Sequence, residues 1–127
     1  MFKIDNQSRI AVYEQIVVQV KKYVMTGILQ AEAKMPSVRK MSVELNVNPN
    51  TVQRAYTELE RAGVIVTSPG RGAFVSQTGQ AVLQEERKIT AIKKLETVLN
   101  DLKVSHVAKK QVLDIVDEIY EGGISSD

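Results

Sequence analysis

A chain of 127 residues holds one compact domain and a small appendage, and a fold of that size buries roughly two-thirds of its unfolded surface. Its lack of cysteine excludes disulfide frameworks, thiol catalysis and the commonest structural zinc sites, and its short apolar runs and unpatterned first thirty residues lead us to expect a soluble, cytoplasmic protein without membrane contact. The net charge of +2 is unevenly spread: residues 1–76 carry ten Lys or Arg against six Asp or Glu, net +4, and residues 77–127 carry seven against nine, net −2.

The first helix is predicted at about 10–26, with Tyr13, Ile16, Val17, Val20 and Val24 on one face and Gly27 placed to end it in a left-handed turn. A second helix should start at Pro36-Ser37, where the serine caps free amides and Val38, Met41, Ser42 and Leu45 form a small-to-apolar stripe, and end near Leu45 or Asn46. In Asn48-Pro49-Asn50-Thr51 the asparagine suits an N-cap and the proline a first helical position, so a third helix starts there. At 100° per residue Val52, Ala55, Tyr56, Leu59 and Ala62 fall on its core side, and Asn50, Gln53, Arg54, Thr57 and Arg61 fall opposite. After Gly63, the β-branched run 64–68 turns through Pro69-Gly70-Arg71-Gly72 into 73–76, a hairpin with a cation at its tip. Residues 77–80 read as a linker. Two amphipathic helices follow at about 81–103 and 105–121, the first with Ile92, Leu95, Leu99 and Leu102 at 3-4-3 spacing, the second with Ala108, Val112, Ile115 and Ile119 in a stripe, after which comes a polar tail from Gly122 to Asp127.

Two helices joined by a short turn, the second opening on polar and cationic side chains, match what a DNA major groove about 12 Å wide admits. An arginine between two glycines suits a wing lying against the sugar-phosphate edge. An anionic partner would meet the first half of the chain, although ordinary scatter of surface charge explains the split equally well. The fold class expected is mainly α with a small β-hairpin wing: a winged helix-turn-helix, residues 1–76, followed by a two-helix dimerisation segment, residues 77–127.

The same residues resemble the GntR-type regulators over nearly all of positions 10–76. The resemblance rests on Val12-Tyr13-Glu14-Gln15-Ile16, Met35-Pro36-Ser37-Val38-Arg39, Asn50-Thr51-Val52-Gln53-Arg54-Ala55 and Gly70-Arg71-Gly72-Ala73-Phe74-Val75, in that order. The run from Asn48 to Tyr56 and the brief C-terminal segment look most like the YtrA subfamily, which implies a compact dimeric repressor, often of a transporter operon. The chain departs from the family pattern at Ala11, at Ala31-Glu32 where a Pro-Gly turn is usual, and at Pro49 and Gln53 where arginine is common.

Candidate DNA-binding residues are Arg39, Asn48, Asn50, Thr51, Gln53, Arg54, Thr57, Gly70, Arg71 and Gly72, with Lys34 and Lys40 as weaker candidates. Arg39 would clamp phosphate or read a guanine edge, as the resemblance implies, while Asn50 and Gln53 could each pair bidentately with adenine. Capping and solvation account for Asn48 and in part for Thr51. The partners expected are double-stranded DNA and a second copy joined through residues 81–121. No catalytic residue, metal or cofactor is expected: His106, the only histidine, has no second ligand, and pairs such as Glu85-Glu86 point apart on a helix. A winged helix serving as a protein-docking module is the rival reading, disfavoured because Arg39, Gln53 and Arg71 replace the exposed aromatics such a dock presents. An enzyme is a third, without a P-loop or nucleophile elbow to support it. The sequence names no effector.

Overall fold

A computed structural model describes residues 2–122, and the part of the polar tail from 123 onward lies outside the described residues. The element order is α1 (Val12–Met25), α2 (Val38–Leu45), α3 (Pro49–Arg61), β1 (Ile65–Ser68), β2 (Gly72–Val75), α4 (Gly79–Val104) and α5 (Lys109–Glu121). The architecture is the mainly helical winged helix-turn-helix expected from the sequence, followed by two helices. It forms two compact units, one through Arg87 and one from Lys88.

In the first unit α1 presents Ile16, Val20 and Val24, all buried, to Val52, Ala55, Tyr56 and Leu59 of α3. Burying an aliphatic side chain of this size contributes about 1.5–3 kcal/mol. The Tyr56 hydroxyl donates to the Pro36 carbonyl at 2.6 Å, tying α3 to the start of α2. Burial pushes this phenol well above its ordinary pKa, so at neutral pH it remains a donor. α2 begins where predicted, with Ser37 Oγ accepting from the Lys40 amide at 3.0 Å. α3 begins with Asn48 Oδ1 accepting from the Asn50 amide at 2.7 Å and Pro49 in the first turn. Asn46 closes α2 at φ +56°, a left-handed position that asparagine tolerates.

Three features of this unit carry no local sequence signal. The N-terminal arm is fastened to α1 by two glutamines one turn apart: Lys3 N and Asp5 N donate to Gln19 Oε1 and Gln15 Oε1, and the two amide NH2 groups donate back to the Lys3 and Asp5 carbonyls. Phe2 then lies 5.4 Å from Tyr23, ring centre to ring centre. The second feature is an edge segment beside β2. Glu32 N donates to Val75 O (2.9 Å), Val75 N to Ala33 O (2.8 Å) and Met35 N to Ala73 O (2.8 Å), so residues 32–35 cover the outer edge of the hairpin. Glu32 reaches this register at φ +68°, a conformation that L-residues disfavour. Glu32→Gly should therefore raise stability by up to about 1 kcal/mol, the relieved strain exceeding glycine's extra chain entropy, while the lost Glu32 acceptor for Gln77 Nε2 is exposed and replaced by water. Denaturant titration with an unchanged m-value checks this, and a lowered midpoint would show that the strain lies elsewhere.

The third feature is the start of α4. The expected linker at 77–80 is already helical from Gly79, and Leu83 is 4% exposed within the core. A Cβ on Gly79 would stand 3.0 Å from the Val64 carbonyl oxygen and 3.6 Å from Val24 Cγ1. A polar tetrapeptide looks like a linker in sequence because the requirement for glycine comes from a carbonyl fifteen residues earlier in the chain. Gly79→Ala is expected to destabilise the unit by about 1–3 kcal/mol, since a backbone oxygen cannot swing aside as a side chain could. A thermal midpoint equal to that of the unaltered chain would contradict this close approach.

The second unit holds no buried residue among those described: Leu102, Val107 and Val112 are half-buried and the rest are exposed. α5 does not pack along α4; the apolar contact is beside the turn, where Leu99, Leu102, Val107 and Val112 surround a cleft of about 360 Å3. α5 starts at Lys109, later than the expected 105, with Ala108 at its N-cap. Val107 N donates to Leu102 O at 3.0 Å and His106 takes φ +63°, a helix-terminating closure that spends residues 105–107 and delays α5 to Lys109.

Candidate nucleic-acid interface

The exposed face of α3 is the one the 100° periodicity selects. Asn50, Gln53, Arg54, Thr57 and Arg61 are exposed, and Val52, Ala55, Tyr56 and Leu59 are buried. Thr51, at the first turn, is half-buried. Gln53 Nε2 donates to Thr57 Oγ1 at 3.3 Å, a long bond that leaves the Gln53 carbonyl oxygen open as an acceptor. Asn48 spends its side-chain oxygen on the helix cap, so of its polar atoms the amide NH2 is what remains for a ligand.

The wing is set by a type II turn. Arg71 N donates to Ser68 O at 2.9 Å, with Pro69 and then Gly70, at φ +79°, in the central positions that this turn assigns to proline and glycine. Ser68 pairs with Gly72 below it, so Arg71 is the one cation of the turn and is exposed. Thr67 Oγ1 donates to Glu60 Oε2 at 2.7 Å, which links β1 to the last turn of α3. Between them lies a groove of about 310 Å3 that brings together Ser37 and Val38 from the start of α2, Gln53 from α3, and Gly70 and Gly72 from the wing. Arg39, Asn50, Thr51, Thr57 and Arg71 do not line it: Arg39 is exposed at the first turn of α2, Arg71 is exposed at the wing tip, and Asn50 and Thr57 are exposed one turn to either side of Gln53 on α3.

Arg54 is exposed on the expected face of α3 and also makes a contact that spacing does not show. Its guanidinium carbon sits 3.8 Å from the centre of the Tyr13 ring, directed toward α1. Tyr13, assigned by spacing to the core stripe of its helix, is half-buried and offers a ring face outward. Spacing within either helix could not reveal a pair made between helices. Among the described residues Arg39, Lys40, Arg54 and Arg71 have no carboxylate partner, whereas Arg61 is paired with Glu58 at 3.1 Å. The surface therefore offers uncompensated cations beside amide and hydroxyl groups, the chemistry that backbone phosphates and base edges take.

Residues 12–75 match the family described as bacterial regulatory proteins, gntR family. Over 130 aligned positions the chain is 35% identical to the HTH-type transcriptional repressor YtrA of Bacillus subtilis (strain 168), with 100% of both chains covered. The chain belongs to the GntR family. Solved structures agree with it along most of its length: a transcriptional regulator from Oenococcus oeni is 33% identical with a TM-score of 0.77, covering 92% of this chain and 97% of that one. YtrA from Sulfolobus acidocaldarius, described as a GntR-family transcription factor, is 30% identical with a TM-score of 0.62, covering 75% of this chain and 97% of that one. As a GntR-family member the protein is a DNA-binding transcription regulator and not an enzyme. No helix among the described residues is long and apolar enough to cross a membrane.

Proposed function

We propose that the protein is a cytoplasmic, sequence-specific repressor that binds an inverted-repeat operator as a homodimer and blocks polymerase there. Residues 1–76 bind DNA and residues 77–127 join the two copies through 81–121, with the first turns of α4 seated in the DNA-binding unit by Gly79 and Leu83. The observation that carries the reading is that Arg39, Arg54 and Arg71 are exposed with no carboxylate partner among the described residues, while Asn50 and Gln53 are exposed on α3. Arg39, Asn48, Asn50, Thr51, Gln53, Arg54, Thr57 and the Gly70-Arg71-Gly72 tip form the contact surface: Arg39 and Arg71 hold phosphates, and Asn50 and Gln53 read base edges. The exposed apolar faces of α4 and α5, with Ile92, Leu95 and Ile119 each about half exposed, support a second copy as the dimer partner.

Selecting duplexes from a random library with the intact chain tests this reading, and genomic footprinting then tests whether a transporter operon is among the targets, as the YtrA resemblance implies. Enrichment of two half-sites in inverted orientation, centred roughly one helical turn or a multiple apart, is the result expected. Recovery of unenriched sequence would overturn specific binding, and recovery of single half-sites would overturn the two-fold arrangement.

A further inference from the structure

We infer that Tyr13 is a positioning residue for DNA binding, its ring holding the Arg54 guanidinium so that the free N–H edge meets a backbone phosphate. The inference rests on the proposed DNA-binding function and deepens it. α3 carries two exposed arginines with opposite surroundings. Arg61 is neutralised by Glu58 at 3.1 Å. Glu58 also stands four residues beyond Arg54, where a helical ion pair with Arg54 would form, yet it pairs with Arg61 instead. Arg54 is held by a ring face, 3.8 Å from the centroid.

The two modes of restraint have different consequences. A carboxylate takes up the donors and cancels the charge of a guanidinium, while an aromatic face touches one side of its plane and leaves the in-plane N–H groups and the full charge available. Tyr13 is itself half-buried on α1, one turn before the buried Ile16 and two turns before the buried Val20, which restricts its ring. An arginine ordered before the ligand arrives loses less rotamer freedom on contact. An ammonium in its place would keep the charge and lose the planar fork and much of the stacking.

The test uses the full chain, a mixed-sequence duplex of about 40 base pairs, long enough for two half-sites, and affinities at several salt concentrations. Arg54→Ala should weaken binding about tenfold and make the slope of log affinity against log salt shallower by about one unit per bound subunit. Tyr13→Leu should weaken it about threefold with the slope unchanged, because the charge remains while its placement is lost. Tyr13→Phe should bind as the unaltered chain does, and Arg54→Lys should match Tyr13→Leu. In an Arg54→Ala background, Tyr13→Leu should have no further effect on affinity, the non-additivity expected of a contacting pair. Equal losses from Tyr13→Leu with and without Arg54, or no loss at all, would overturn the inference. Should Tyr13→Leu fail to fold by circular dichroism, Arg54→Lys decides: unchanged affinity overturns the inference and a threefold loss at constant slope supports it. Absence of salt-dependent duplex binding by the unaltered chain would overturn the functional reading beneath it.

Discussion

Leu95→Asp is expected to convert the protein from a dimer to a monomer at micromolar concentration and to weaken binding to a two-half-site operator by about 10²- to 10⁴-fold. Leu95 is 51% exposed, and so are, within a few per cent, Ile89, Ile92 and Val98 on the same helix. An apolar face of that extent is rarely left to water in a soluble chain. Each such side chain has about half of its surface still to bury, worth roughly 0.8–1.5 kcal/mol per residue in a well-packed interface. A carboxylate at the centre of that face must either remain hydrated, which keeps the copies apart, or lose its charge. In the proposed two-fold dimer the substitution would fall in the interface twice.

The DNA effect follows from the dimer effect. In the proposed dimer, once one winged helix is bound the linked copy would meet the second half-site at an effective concentration in the millimolar range, and a monomer would forfeit that gain. Sedimentation and operator titration of the same preparation separate the possibilities. A variant that remains dimeric refutes the assignment of the interface to α4 and α5. A monomeric variant that keeps full operator affinity refutes the linkage between dimerisation and DNA binding. Circular dichroism should show the first unit still folded, because its core lies within residues up to Leu83.

How much of this was legible in the sequence depends on the range of each signal. Ser37 and Asn48 act on amides two or three residues away, and both caps appear as read. Pro69-Gly70 determines its turn within four residues, and the face of α3 follows from periodicity alone. The elements that escaped are those whose partner is distant. Residues 32–35 contain no strand pattern, because what orders them is the free edge of β2 some forty residues later. Gly79 looks like a linker residue until the Val64 carbonyl is beside it. Arg54 was legible as an exposed cation on α3, but its stacking on Tyr13 depends on how α1 crosses α3. The candidate contact residues could be chosen from exposure and chemistry, whereas their division between phosphate and base is a matter for binding experiments.

That division leads to the last prediction. Arg71 stands exposed at the tip of a turn whose conformation Pro69 and Gly70 determine, with no carboxylate to compensate it. Arg71→Ala should weaken binding to every duplex alike and make the salt slope shallower by about one unit per subunit, the signature of one lost phosphate contact in each half-site. Gln53 differs in both respects, because it is uncharged and lines the groove between helix and wing, with its amide nitrogen on Thr57 and its carbonyl oxygen left as an acceptor. Gln53→Ala should leave the salt slope nearly unchanged and lose discrimination at one base pair in each half-site, by about 1–3 kcal/mol per pair. Over two half-sites that is roughly 30-fold or more between matched and mismatched operators, since contributions from well-separated positions add. Truncation to alanine also frees Thr57 Oγ1, but an exposed hydroxyl is satisfied by water and costs little. Titrations on matched and single-mismatch operators at several salt concentrations decide it. A Gln53→Ala chain that loses affinity equally for all sequences would show that α3 holds the duplex without reading it, and a shallower slope would show that the amide had been organising a phosphate contact instead.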